Sequence, residues 1–204
     1  MSTACDEYVP VSALAVQSTA SVKPGSFESS VAHFSLPAFD AGCQPDLAGR
    51  TTIKSNKFLL SKPSVLFSKL NPRIPRIWDV AELPTQMAVA STEFVVLMPE
   101  GGSSSALWAA LAQPEVSEAL RQKVAGTSGS HQRIRPADLL GVRVNDVREL
   151  GESAATLVDD LGRICYERRR ESSGLVRTRD ELLPLLMSGK VTVKAAEELV
   201  RGVT

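Results

Sequence analysis

From Val147 onward, apolar residues recur at alternating steps of three and four. Positions 147, 150, 154, 157, 161, 164, 168, 171, 175, 178, 182 and 185 carry Val, Leu, Ala, Leu, Leu, Ile, Arg, Glu, Leu, Thr, Leu and Leu. Nine of these twelve are apolar and charged residues surround them, so one stripe of a long helix has to find a cover. At 1.5 Å per residue the helix would run roughly 60 Å, too long to lie wholly on one small domain. Arg168 and Glu171 interrupt the seam, where polar residues set register and partner at some cost in stability. Gly162 and Gly174 each weaken a helix by roughly 1 kcal/mol, so packing has to hold this one together. A coiled coil with a second helix meets these demands, with Leu150, Leu157, Leu161, Ile164, Leu175 and Leu182 as the helix–helix interface. The alternative is an ordinary amphipathic helix packed on its own domain. Pro184 falls near the end, Ser188-Gly189 terminates the helix, and a short helix over Val193–Arg201 is expected beyond it.

Residues 1–143 follow a different rhythm, with short apolar runs punctuated by proline and glycine. Val31–Leu36, Ser64–Leu70 and Ala88–Met98 are rich in Val and Phe and predict strands. Ser35–Gly42 and Asn71–Pro75 are predicted as loops, because each proline removes a donor and fixes φ. The serines of Pro99–Ser105 supply caps for a helix over Ala106–Gln113. Pro114 opens another over roughly Glu115–Val124, stopped by Gly126. The fold class is a mixed α/β (α+β) domain followed by a long helix. The divisions are 1–143 for the domain, 144–190 for the helix and 191–204 for a short terminal helix.

The 204 residues carry 23 basic and 23 acidic side chains, and on totals alone zero net charge argues against a nucleic-acid binder. Counted by segment, the balance changes. Residues 50–78 hold seven basic residues and no acidic one, and 121–143 hold five basic residues and Asp138. Acidic segments offset them at 1–49 and 79–120. If the fold brings the two basic stretches together, one face becomes positive on a neutral molecule and attracts a polyanion by counterion release. Scattered solvated lysines are the alternative. With 43% hydrophobic residues, wholesale disorder is excluded. No run approaches the roughly 18 apolar residues of a spanning helix. Met1–Pro10 has no basic n-region or apolar h-region, which predicts no secretory signal. Cys5, Cys43 and Cys165 are far apart and read as reduced thiols of a cytoplasmic protein.

Catalytic patterns fail one by one. His33 and His131 are the only histidines and stand in no metal-ligand spacing, so neither a metal nor another cofactor is expected. Gly126-Thr-Ser-Gly-Ser130 lacks the final glycine of a nucleophile elbow and the Gly-Lys-Ser/Thr of a P-loop. No G-x-G-x-x-G occurs, nor the Asn/Asp-Pro-Pro-Tyr/Phe motif of amino-methyltransferases. Two polar loops remain as candidates for DNA contact. One offers Lys69, Asn71, Arg73 and Arg76, stiffened by Pro72 and Pro75. The other offers Ser128, Ser130, Gln132, Arg133 and Arg135, where Gln and Arg suit adenine and guanine edges and small residues let backbone approach phosphate. A tight structural turn braced by Gln132 and Arg133 is the competing reading of the second loop. Trp78 is expected to anchor the core rather than stack on bases.

Val65–Trp78, Ser91–Leu97 and Gly126–Arg133 resemble, in order, a target recognition domain of type I restriction–modification specificity subunits. The ending Arg179-Asp-Glu-Leu-Leu-Pro-Leu-Leu-Met-Ser-Gly-Lys190 is similar to that of the family's spacer helix. The resemblance spans roughly residues 1–190. It implies a non-catalytic DNA-recognition subunit reading one half of a bipartite site on double-stranded DNA. It further implies docking of methyltransferase subunits and of a restriction endonuclease subunit. Complete members hold two recognition domains and two antiparallel helices, so one of each implies a half-subunit that pairs with a second half-subunit, identical or different. Between domain and helix many members carry a Pro-Pro-Leu-x-x-Gln-like segment, where this chain has Arg143–Leu150. Two other classes of function are left open by the residues: a scaffold that recruits a protein partner on a coiled coil and binds no DNA, and an enzyme, which only the polar loop Gly126–Gln132 supports.

Overall fold

The structure, a computed structural model, describes residues 7–27, 30–49, 51–124 and 133–191. Ordered along the chain are strands β1 (Tyr8–Pro10), β2 (Ala15–Ser18), β3 (Ser21–Val22) and β4 (Val31–Phe34), then helix α1 (Leu36–Asp40). Strands β5 (Asp46–Ala48), β6 (Lys57–Leu60), β7 (Ser64–Ser68), β8 (Ile77–Val80), β9 (Ala88–Ala90) and β10 (Phe94–Pro99) follow. Helices α2 (Ser104–Leu111), α3 (Pro114–Val124) and α4 (Pro136–Leu140), strand β11 (Arg143–Asn145) and helix α5 (Glu152–Met187) complete it. The chain divides into two compact units, Met1–Tyr166 and Glu167–Thr204.

In the first unit an antiparallel sheet ordered β2-β10-β7-β8 stacks on a mixed sheet ordered β3-β6-β9-β4-β5, in which β4 and β9 run parallel. Strand alternation assigns each face its core. Val65 and Phe67 of β7, with Val95 and Leu97 of β10, pack against Leu107 and Leu111 of α2 and Leu120 of α3. Their neighbours Leu66, Phe94 and Val96 turn the other way and meet Phe34, Leu60, Ala88 and Ala90 of the second sheet. Both central strands are therefore apolar on both faces, which is why they read as unbroken hydrophobic runs. Trp78 is buried between these sheets, its ring 4.9 Å from Phe34 and 5.7 Å from Phe39, as a core anchor. β1 pairs with β11, tying the start of the described chain to the segment before α5.

Four local expectations change. The run Ala88–Met98 is not one strand. It makes β9 in one sheet and β10 in the other, broken where Ser91 donates its N–H to Phe34 O and accepts from Phe94 N–H. Ser35–Gly42 contains α1 rather than only loop, and the preceding strand stops at Phe34. Pro37 stands in the first helical turn, where its missing donor is not needed, and Ser35 Oγ caps Ala38 N–H at 3.1 Å. α2 starts two residues earlier than expected, at Ser104, because Ser103 Oγ takes the N–H of Ala106. The long helix starts at Glu152, not Val147. Asp146 caps a 3-10 turn over Val147–Glu149, Leu150 is extended and half-buried, and Gly151 precedes the helix, so Val147 and Leu150 lie off the helical seam. The helix expected over Val193–Arg201 lies outside the described residues.

Within the first unit, Ala154, Ala155, Val158, Gly162 and Tyr166 are the half-buried residues of α5, while Leu157, Leu161 and Ile164 stay exposed, so the seam position Ala154 is partly covered. Gly162 sits against Ser105 of α2. A Cβ added there would lie 2.8 Å from Ser105 Cβ and closer still to its hydroxyl, so only glycine fits. Ser105 in turn donates to Asp79 Oδ2 at 2.6 Å, and Ser103 Oγ bonds Asp159. Within the second unit, Arg168 pairs with Glu171 at 2.7 Å, and Leu175, Leu182 and Leu185 are exposed. The helix ends at Met187, with Gly189 at φ +70° donating to Leu186 O. Among the described residues no helix is long and apolar enough to cross a membrane.

Candidate nucleic-acid interface

The basic loop Lys69–Arg76 joins β7 to β8, two antiparallel neighbours in register from Ser64–Val80 to Phe67–Ile77. Its base is fixed twice. Ser68 N–H donates to Arg76 O at 2.9 Å, and Ser68 Oγ accepts from Leu70 N–H at 3.1 Å. Its tip is fixed by Asn71, which takes a left-handed φ of 50° that asparagine tolerates better than most residues. The Asn71 side chain accepts from Arg73 N–H at 3.3 Å and its carbonyl from Ile74 N–H at 3.0 Å. Pro72 is buried beneath the tip, leaving Asn71, Arg73, Ile74 and Pro75 exposed.

The two basic stretches, far apart in sequence, meet here. Leu70 and Arg133 form an antiparallel bridge, and Ile134 N–H donates to Lys69 O at 2.8 Å. On the other side Lys69 N–H donates to Glu93 O at 2.8 Å, joining the turn between β9 and β10. Ile134 is buried in the core under α2–α4, so its neighbours Arg133 and Arg135 point outward. Lys69, Asn71, Arg73, Arg76, Arg133 and Arg135 thus belong to one cluster of loops. Ser128, Ser130 and Gln132 lie outside the described residues, as does His131.

Carboxylates come with the cations. Arg76 binds Asp40 of α1 in a two-point fork at 2.7 and 3.0 Å, and Arg133 reaches Glu93 at 3.2 Å. Arg135 grips Asp138 at 2.8 and 3.2 Å. The hydrogen bonds from Arg76 hold the Asp40 carboxyl below its ordinary range, and those from Arg135 do the same to Asp138. Lys69 places its ammonium 5.8 Å from the Phe58 ring, and Arg73 makes no ion pair among the described residues. Asp138 was visible as the i+3 neighbour of Arg135. Asp40 and Glu93, 36 and 40 residues from their partners, have no local signature. Each pair has one partner more than half exposed (Asp40, Arg133 and Arg135) and one largely covered (Arg76, Glu93 and Asp138), so water screens it in part and an incoming phosphate oxygen has a carboxylate to compete with. Meanwhile they hold the guanidinium groups in place. Among the described residues no group of His, Cys, Asp and Glu is disposed to hold a metal ion.

No protein family matches the chain, and no curated protein matches it. Among solved structures, a chain from a work on complex assembly and conformational transition of the type I R-M system aligns with it at 14% identity and a TM-score of 0.49. The alignment covers 90% of this chain and 48% of that one, so the chain spans about half the length of the structure it resembles.

Proposed function

We propose that this chain is a DNA sequence-recognition subunit of a type I restriction–modification complex, in half-subunit form. The observation that carries the reading is the bridge between Leu70 and Arg133, which brings Lys69, Arg73 and Arg76 of one basic stretch beside Arg133 and Arg135 of the other in one loop cluster of a neutral protein. Arg73 and Lys69 hold phosphates, Gln132 and Arg133 address base edges, and Asn71, Arg76, Ser128, Ser130 and Arg135 complete the contact surface. The long helix supplies a spacer: Leu157, Leu161, Ile164, Leu175 and Leu182 are all exposed, as an interface awaiting a second helix requires. A second half-subunit covers that seam, and methyltransferase and endonuclease subunits dock on the assembly to do the chemistry. The chain itself recognises and does not catalyse.

The test is a gel shift on duplex DNA at two salt concentrations, with the chain alone and with a methyltransferase subunit, followed by selection of bound sequences from a random duplex library. Salt-sensitive binding and a recovered consensus are expected. Absence of salt-sensitive binding in both settings would overturn the reading in favour of a protein-recruiting scaffold.

A further inference from the structure

Ile74 is the exposed large apolar residue of the basic loop, and phosphate binding does not use it. It is 57% exposed at the tip, between Arg73 and Pro75, where a solvated turn ordinarily carries polar residues. A single exposed aliphatic side chain is common on protein surfaces and by itself calls for no explanation. This one differs in how firmly it is presented. The buried Pro72 anchors the chain beneath it, Asn71 accepts its N–H, and Pro75 fixes the backbone after it. Little ordering remains to be lost on contact. The neighbouring Arg73 and Lys69 draw a phosphate backbone to the same place.

We propose that Ile74 is a specificity residue that reads the 5-methyl group of a thymine in the major groove. The proposal rests on the DNA-recognition reading above. An apolar branched group carried to a duplex by cations meets one apolar partner on the base edges of the major groove, the thymine methyl. Insertion between base pairs, the other use of apolar side chains on DNA, needs a side chain projecting freely enough to part a base step. Ile74 keeps over two-fifths of its surface against its own chain and stands beside Pro75, which fixes its backbone, so it is held as a surface contact.

The test uses the full chain and a duplex taken from the random-library selection, with each thymine replaced singly by deoxyuridine, which removes only the methyl. Wild type should lose about fourfold in affinity at one position of the half-site, the weight of one methyl removed from an apolar contact. Ile74→Ala should bind the thymine and deoxyuridine duplexes equally at that position while keeping the wild-type salt slope. Ile74→Leu, which keeps the four side-chain carbons but moves the branch from Cβ to Cγ, should retain part of the preference. Circular dichroism confirms that the variants are folded. Indifference of wild type to every replacement, or an unchanged fourfold preference in Ile74→Ala, overturns the proposal and leaves DNA recognition standing. Failure of wild type to bind any duplex in a salt-sensitive manner removes the DNA-recognition reading itself.

Discussion

Arg73 and Asp146 are both charged residues at turns, yet they do opposite work. Arg73 is exposed without an ion pair among the described residues, so its charge is available to a polyanion. Arg73→Ala should weaken binding to all duplex sequences alike and lower the slope of log K against log salt by about one unit. Unchanged binding to random DNA would remove this loop from the interface. Asp146 is buried and serves the fold. Its carboxylate accepts from Arg148 Nε at 2.8 Å and from Arg148 N–H at 3.0 Å, fixing the turn that precedes α5. Those bonds, the Arg148 side chain first, hold its pKa below the ordinary value. The folded pKa lies below the unfolded one, so the stabilisation is complete above about pH 4 and is lost as pH falls through the lowered value. Asp146→Asn should therefore melt below wild type at neutral pH, with the gap closing under acid. A gap independent of pH would assign the loss to packing instead.

At the scale of elements, α5 carries two stripes with different duties. Heptad spacing located the exposed one, Leu157, Leu161 and Ile164, because periodicity is a local property of the chain. The stripe that meets the domain runs through Gly162, which on propensity alone was only a weak point of the helix. Contact with Ser105, 57 positions earlier in the chain, makes it a requirement. Gly162→Ala should lower the melting temperature despite alanine's better helix propensity, by the roughly 1–3 kcal/mol typical of an overpacked contact. Ser105→Gly should recover part of that loss. A Gly162→Ala variant more stable than wild type would show that the helix does not sit on α2 this closely. The same contrast applies to strands. Valine and phenylalanine content marked Ala88–Met98 as extended, but the division between two sheets at Ser91–Glu93 depends on Phe34 O, which no local pattern reveals.

For the molecule as a whole, the exposed leucines of α5 are the surface that the proposed pairing would cover. Under that proposal, two identical copies related by a two-fold axis would present two loop clusters and read an inverted repeat with a fixed gap, and two different half-subunits would read an asymmetric site. For the self-pairing form of the proposal, wild type should sediment as a dimer, and Leu161→Glu combined with Leu175→Glu should leave helical content intact, give a monomer in sedimentation velocity and abolish sensitivity to the spacing between half-sites. Persistence of the dimer would place the self-contact elsewhere.

The sequence by itself determined the apolar runs that hold β4, β7, β9 and β10, the helices α2 and α3 and the long helix, since their composition and period are written in neighbouring residues; the short strands β1–β3, β5, β6, β8 and β11 and the helices α1 and α4 carry no such local mark. It also determined that zero net charge conceals two basic stretches. Leu150 shows its reach at element ends: the seam counted it in, but the hydrogen bonds of Asp146 and Arg148 give those residues a 3-10 turn before the helix begins. Only the tertiary structure decided that Lys69 and Ile134 share a hydrogen bond, that Asp40 and Glu93 restrain two of the arginines, and that Ile74 is left outward. Those facts depend on pairing between distant strands and loops, where long-range packing, not local propensity, selects the neighbour.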